Sequence, residues 1–157
     1  MKTQIWAHRG ASAYAPENTL EAFRLAAEMG GDGVELDVQL SRDGELVVAH
    51  DETIDRVSNG TGYIKDYTLA QLKELSFNRL FPDFKDARIP TLKEVYELLK
   101  PAGLTVNVEL KTGIILYPEI EEKVLALTAS MGVEDRVIYS SFCHPSLVRL
   151  KELDSGL

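Results

Sequence analysis

Segments of period-two hydrophobicity alternate with segments of helical period from end to end of this chain, and that alternation does most to narrow its fold. Strands are predicted over 4–7, 33–40, 46–49, 105–111 and 136–141, and helices from Asn18 or Thr19, then over 92–99, 118–130 and 145–153. Asn18 and Glu21 have the spacing of a capping box, Leu20, Phe23, Ala26 and Ala27 form the apolar stripe behind it, and Gly30-Gly31 stops that helix. Thr91 is the predicted cap of the helix over 92–99. Strands separated by helices imply a parallel sheet covered by crossover helices. Residues 52–88 break the rhythm with mixed polarity and one short helical stretch near 69–75, which reads as an insertion.

At 157 residues the chain fits one domain, with a net charge of −8 that argues against a nucleic-acid surface, since such surfaces need clustered Lys and Arg. An acidic protein that handles an anionic substrate needs a local positive site, from a metal or a few placed cations. The single cysteine, Cys143, excludes an internal disulfide and reads as an inert buried thiol. No apolar run approaches the roughly 20 residues of a membrane helix, and the opening stretch from Met1 is too short for a signal-peptide core, so the expected location is cytoplasmic.

Chemistry enters through the polar positions. In the strand over 33–40, Val34, Leu36, Val38 and Leu40 point one way and Glu35, Asp37 and Gln39 the other; over 105–111, Asn107, Glu109 and Lys111 oppose Val106, Val108 and Leu110. Parallel strands are normally apolar on both faces, and burying ionised carboxylates without partners is costly. Either these are edge strands with solvated acids, or Glu35, Asp37 and Glu109 converge on a hard divalent cation, Mg²⁺ or Ca²⁺. The candidates lie toward strand C-termini, where active sites of (β/α) barrels gather, which favours the cation. His8 and His50 each end a strand and are followed by a charged residue, as proton-passing groups would be placed. Arg9 offers a fork matching two phosphate oxygens, and Gly10 permits a sharp turn after it. Asp51 either orients His50 or forms the turn. Glu17 and Asn18 read as loop anchor and helix cap, His144 as a capping or surface residue, and Trp6 as core. Ser140, Ser141 and Phe142 end the fifth strand, a position open to a substrate-facing role but carrying no stronger signal for one.

His8-Arg9-Gly10, Pro16-Glu17-Asn18-Thr19, Glu35-Leu36-Asp37-Val38, His50-Asp51 and Glu109-Leu110-Lys111 together resemble, in order and spacing, the glycerophosphodiester phosphodiesterase family, over essentially the whole chain. The resemblance implies a TIM-type (β/α) barrel of the phospholipase C-like phosphodiesterase kind, with 52–88 as a small inserted subdomain after the third strand of a single domain over 1–157. It implies a metal-dependent hydrolase that splits glycerophosphodiesters such as glycerophosphocholine into glycerol 3-phosphate and an alcohol. Carried over by motif, Glu35, Asp37 and Glu109 would hold the divalent cation, His8 and His50 would be the acid–base pair, and Arg9 and Lys111 would contact the phosphate. In such proteins the neighbouring glycerol hydroxyl attacks first, and water then opens a cyclic phosphate. Phosphoinositide-type phospholipases and lysophospholipases are similar in fold and histidines.

An eight-stranded barrel needs about 250 residues, whereas about five strands are counted here. The expectations are a fragment, a chain that completes its barrel as a homo-oligomer, or an open sheet; an inactive or weakly active fragment binding a phosphate ligand or partner is the alternative function. The short link over 41–45 has no room for a crossover helix, so an extended return is expected there.

Overall fold

The computed structural model describes residues 3–157; Met1 and Lys2, counted in the opening stretch and in the 1–157 domain, lie outside the described residues. Among the described residues five strands form, β1 (Trp6–His8), β2 (Gly33–Leu40), β3 (Leu46–Val48), β4 (Thr105–Leu110) and β5 (Val137–Ser140). Four run parallel in the order β1-β2-β4-β5, and β3 pairs antiparallel with the last residues of β2. The sheet does not close, consistent with an incomplete (β/α) barrel.

The antiparallel third strand corrects the all-parallel expectation and has a local cause. The link from Leu40 to Leu46 is too short for a crossover, so the chain can only double back. Ser41 builds the turn: its N–H donates to the Glu45 carbonyl (3.0 Å), its hydroxyl donates to Asp43 Oδ1 (2.6 Å), and Glu45 N–H donates to that hydroxyl (3.0 Å).

The apolar face of the sheet carries the main core. Val34, Leu36, Val38, Val106, Val108 and Leu110 pack against α1 (Leu20–Glu28), α3 (Leu92–Leu99) and α4 (Ile120–Met131). In α3 the buried residues Leu92, Val95, Tyr96 and Leu99 follow the spacing of one helical face. Burying each such side chain contributes about 1.5–3 kcal/mol. Thr91 and Glu94 cap this helix reciprocally, as predicted for Thr91. The last helix, α5 (His144–Leu153), opens at an exposed His144. Cys143 is half-buried at its start rather than fully enclosed.

Residues of the irregular segment build a second cluster. Ile54, Ile64, Leu72 and Phe77, with α2 (Leu69–Glu74) inside it, gather with Val47, Ala49 and Ile89. Among the described residues no helix is long and apolar enough to cross a membrane.

At α1 the capping box on Asn18 does not form. Thr19 is the cap, accepting from Ala22 N–H, while Asn18 takes a left-handed backbone (φ 56°) that turns its side chain inward. Gly30 (φ 79°) ends the helix as expected. Trp6, predicted as core, is half-buried and lies over Gly33, where a Cβ would come within 3.0 Å of its ring.

Candidate active site

Register places the predicted acids together. His8 pairs with Glu35, Asp37 with Glu109 and Glu109 with Ser140, so these side chains share the face opposite the main core. One carboxylate oxygen from each of Glu35, Asp37 and Glu109 lies within 4.8 Å of the others. The alternative of acids splayed into solvent is excluded: Asp37 is fully buried and the other two are half-buried.

Cations rim this cluster. Lys111 Nζ is 3.1 Å from Glu109 Oε1 and 3.7 Å from Asp37 Oδ1. Arg9 has a left-handed backbone (φ 59°) whose N–H donates to the Glu35 carbonyl (3.0 Å), while its Nε faces Asp37 Oδ2 at 3.5 Å. His8 Nε2 sits 3.7 Å from Glu35 Oε2, and most of its side chain is exposed.

Asn18 was read from the sequence as a cap. It instead donates from Nδ2 to Asp37 Oδ2 at 2.9 Å and orients that carboxylate. Among the described residues the buried side-chain polar atoms without a hydrogen-bond partner are Arg9 Nε, Asn18 Oδ1 and Asp37 Oδ1, all in this cluster. Orphaned buried polar atoms are costly, and the two oxygens among them, on Asn18 and Asp37, have the chemistry of cation ligands.

Burial, then the charges of Asp37 and Glu109, push the Glu35 carboxyl up to about 7, against the lowering effect of the Arg9 N–H and guanidinium. Three acids within 4.8 Å of one another, with an unpartnered oxygen on the central one, fit a divalent cation held by oxygen ligands. The linkage has a definite sign. Glu35 binds its proton more tightly folded than unfolded, so the metal-free protein loses stability as pH rises from the unfolded carboxyl range through about 7. Glu35→Gln removes that penalty. Above the folded value the metal-free variant should be more stable than the parent by about 1–2 kcal/mol, after allowance for solvent screening. Below the unfolded carboxyl value of 4.5 the gain should vanish. Thermal melts in chelator across this range test it; a variant less stable than the parent at high pH would contradict the charge crowding.

His50 follows β3 on a loop fixed from below. Gln39, fully buried, directs Nε2 at the carbonyls of Ala49 (2.9 Å), His50 (3.2 Å) and Asp51 (2.8 Å), and Tyr117 donates its hydroxyl to Gln39 Oε1 (2.9 Å). The ring Nδ1 of His50 is 2.7 Å from Asp51 Oδ1, which favours the orienting reading of Asp51. His50 joins the carboxylate cluster through Asp51, Arg56, Glu17 and Arg9 rather than by direct contact. Glu17 is therefore an anchor, as read from the sequence, while Gln39, Arg56 and Tyr117 were missed. Gln39 had a signal, since it continues the alternation of Glu35 and Asp37; Arg56 and Tyr117 had none.

The glycerophosphoryl diester phosphodiesterase family profile matches residues 8–157. A glycerophosphodiester phosphodiesterase of Caldanaerobacter subterraneus subsp. tengcongensis is 52% identical over 154 residues, covering 98% of this chain and 63% of that protein. One from Bacillus altitudinis is 46% identical, with 96% and 62% covered. Among solved structures, a glycerophosphodiester phosphodiesterase from Agrobacterium tumefaciens str. C58 superposes with a TM-score of 0.90 at 37% identity, covering 99% of this chain and 65% of that one. An Oleispira antarctica phosphodiesterase in complex with its product sn-glycerol-3-phosphate gives 0.84 at 35%, with 98% and 63% covered. The chain thus spans a little under two thirds of the length of these relatives. On the profile match and on these identities, the chain belongs to the glycerophosphoryl diester phosphodiesterase family.

Proposed function

We propose that this chain carries the metal-binding and acid–base groups of an enzyme that hydrolyses glycerophosphodiesters to glycerol 3-phosphate and an alcohol. The observation that carries this reading is the convergence of Glu35, Asp37 and Glu109, with Arg9 and Lys111 against them and His8 beside Glu35. With Glu35 ionised, three carboxylates against two cations leave the cluster one negative charge, which repels a phosphodiester. A divalent cation, Mg²⁺ or Ca²⁺, held by the three acids makes it one positive charge. When bound, that ion supplies Lewis-acid neutralisation of the phosphate and lowers the pKa of a bound hydroxyl.

The chain's own residues do the rest. Arg9 and Lys111 receive the phosphate oxygens and hold the phosphorus in place. One of His8 and His50 takes the proton of the attacking glycerol hydroxyl and the other gives one to the leaving alkoxide; the roles reverse when water opens the cyclic phosphate. Residues 1–157 act in this reading as one partial barrel domain, and 52–88 as an inserted subdomain, supported by the separate apolar cluster that segment builds.

The chain with Mg²⁺ or Ca²⁺ should release glycerol 3-phosphate from glycerophosphocholine, and chelator should stop it. Glu109→Ala should reduce the rate on the order of 10²–10³-fold. Background turnover with both metals would overturn the enzyme reading, and ligand binding without turnover would leave a phosphate-binding module in its place.

A further inference from the structure

Arg56 lies in the irregular segment, outside the motifs that carry the family resemblance and five residues past Asp51, and its guanidinium spans two loops of the site. Its Nη1 and Nη2 donate as a fork to Glu17 Oε2 and Oε1, both at 2.8 Å, and its Nε donates to Asp51 Oδ2 at 2.7 Å. The far oxygen of Asp51 is the one that meets His50 Nδ1 at 2.7 Å, and Glu17 Oε1 also accepts from Arg9 Nη1 at 3.1 Å. One side chain thus braces the partner of a candidate acid–base histidine and the partner of a candidate phosphate ligand.

An isolated surface ion pair contributes little, but this one has features that such pairs lack. The contact to Glu17 is bidentate, both carboxylates are largely shielded (15% and 29% side-chain exposure), and five groups share one network. Arg56, above all through its hydrogen bond, holds the Glu17 carboxyl below its usual range. Burial works to raise Asp51, and the Arg56 and His50 contacts outweigh it. An ionised Asp51 only accepts, so the hydrogen between it and His50 belongs to Nδ1. That leaves Nε2 as the nitrogen that exchanges protons with substrate. The peptide groups on either side of His50 are already held by Gln39, so the ring's remaining freedom is rotation and tautomer, and Asp51 governs both.

We propose that Arg56 is a positioning residue that locks His50 in the Nδ1–H tautomer through Asp51 and, through Glu17, sets Arg9 in register with it. The proposal rests on the assignment of His50 as an acid–base group. It makes the irregular segment a supporting part of the catalytic face.

The test uses the full chain, Arg56→Lys and Arg56→Met. Lysine keeps the charge but cannot bridge two carboxylates as a fork. Long-range ¹H–¹⁵N NMR at alkaline pH reads the tautomer; the chain has three histidines, and His50→Gln identifies the signals of His50. The parent should show His50 protonated at Nδ1, and both variants should move toward the Nε2–H form. With glycerophosphocholine, kcat should fall about 10–100-fold in Arg56→Met and less in Arg56→Lys. Affinity for Mg²⁺ or Ca²⁺ by calorimetry should stay within about twofold, because Arg56 touches none of the three acids. An unchanged tautomer in both variants, or a kcat within about twofold of the parent in Arg56→Met, overturns the proposal. Absence of turnover in the parent would instead count against the proposed function, while the NMR comparison would still decide the positioning of His50.

Discussion

Asp37→Asn is expected to abolish measurable calorimetric binding of Mg²⁺ or Ca²⁺ and to cut hydrolysis of glycerophosphocholine on the order of 10³-fold, about 4 kcal/mol of transition-state stabilisation. The side chain is fully buried at the centre of the cluster, and the substitution keeps its shape. Four donors or cations face it: Asn18 Nδ2 at 2.9 Å, Arg9 Nε at 3.5 Å, Lys111 Nζ at 3.7 Å and the postulated metal at the unpartnered Oδ1. An amide removes the charge that balances them and turns an NH₂ group toward another donor. The folded state should survive, because Arg9 keeps Glu17 and Lys111 keeps Glu109, at a cost of about 1–3 kcal/mol. Circular dichroism checks the fold. A variant that binds metal with unchanged affinity and hydrolyses within about tenfold of the parent would remove Asp37 from the site.

Gly10→Ala should have the largest effect on stability. A Cβ at this position would stand 2.7 Å from the Ala22 carbonyl carbon, 2.8 Å from its Cβ and 2.9 Å from its oxygen, and none of these belongs to a flexible side chain. The backbone there is left-handed (φ 77°), immediately after the left-handed Arg9. Backbone strain of about 1–2 kcal/mol and overpacking of about 1–3 kcal/mol combine to roughly 3 kcal/mol. In a chain of this size that lowers Tm by roughly 6–12 °C. Relief requires the loop to move away from the start of α1, which carries Arg9 away from Asp37 and reduces activity as well. A Tm within about 2 °C of the parent would show that the loop yields without strain.

The carboxylate cluster was legible in the sequence because strand alternation fixes a face: once Glu35, Asp37, Glu109 and Lys111 oppose Val34, Leu36 and Val108, parallel register does the rest. Strand direction was less legible, since period two reads the same either way along a chain. The brevity of the 41–45 link was the available sign that β3 turns back, and an extended return was expected there instead. Asn18 misled for a related reason. Its spacing from Glu21 satisfies a capping box, but the demand of a buried Asp37 for a donor and the competing cap at Thr19 decide the outcome. Arg56 reaches Glu17 across 39 residues, and its role exists only once tertiary packing brings that loop to it.

The doubling back of β3 also shapes how this scaffold can change. The chain leaves β3 after Val48 and returns beside it, where Val48 N–H donates to the Pro90 carbonyl at 2.9 Å and Val47 bridges Thr91. Departure and return form one socket, with His50 and Asp51 on its outgoing edge. The entropy of closing such a loop grows only slowly with its length, and the paired residues that set the register of β2 and β4 all lie outside it. On the function proposed above, any segment that replaces the one beyond Asp51 has to return a guanidinium to Glu17 and Asp51.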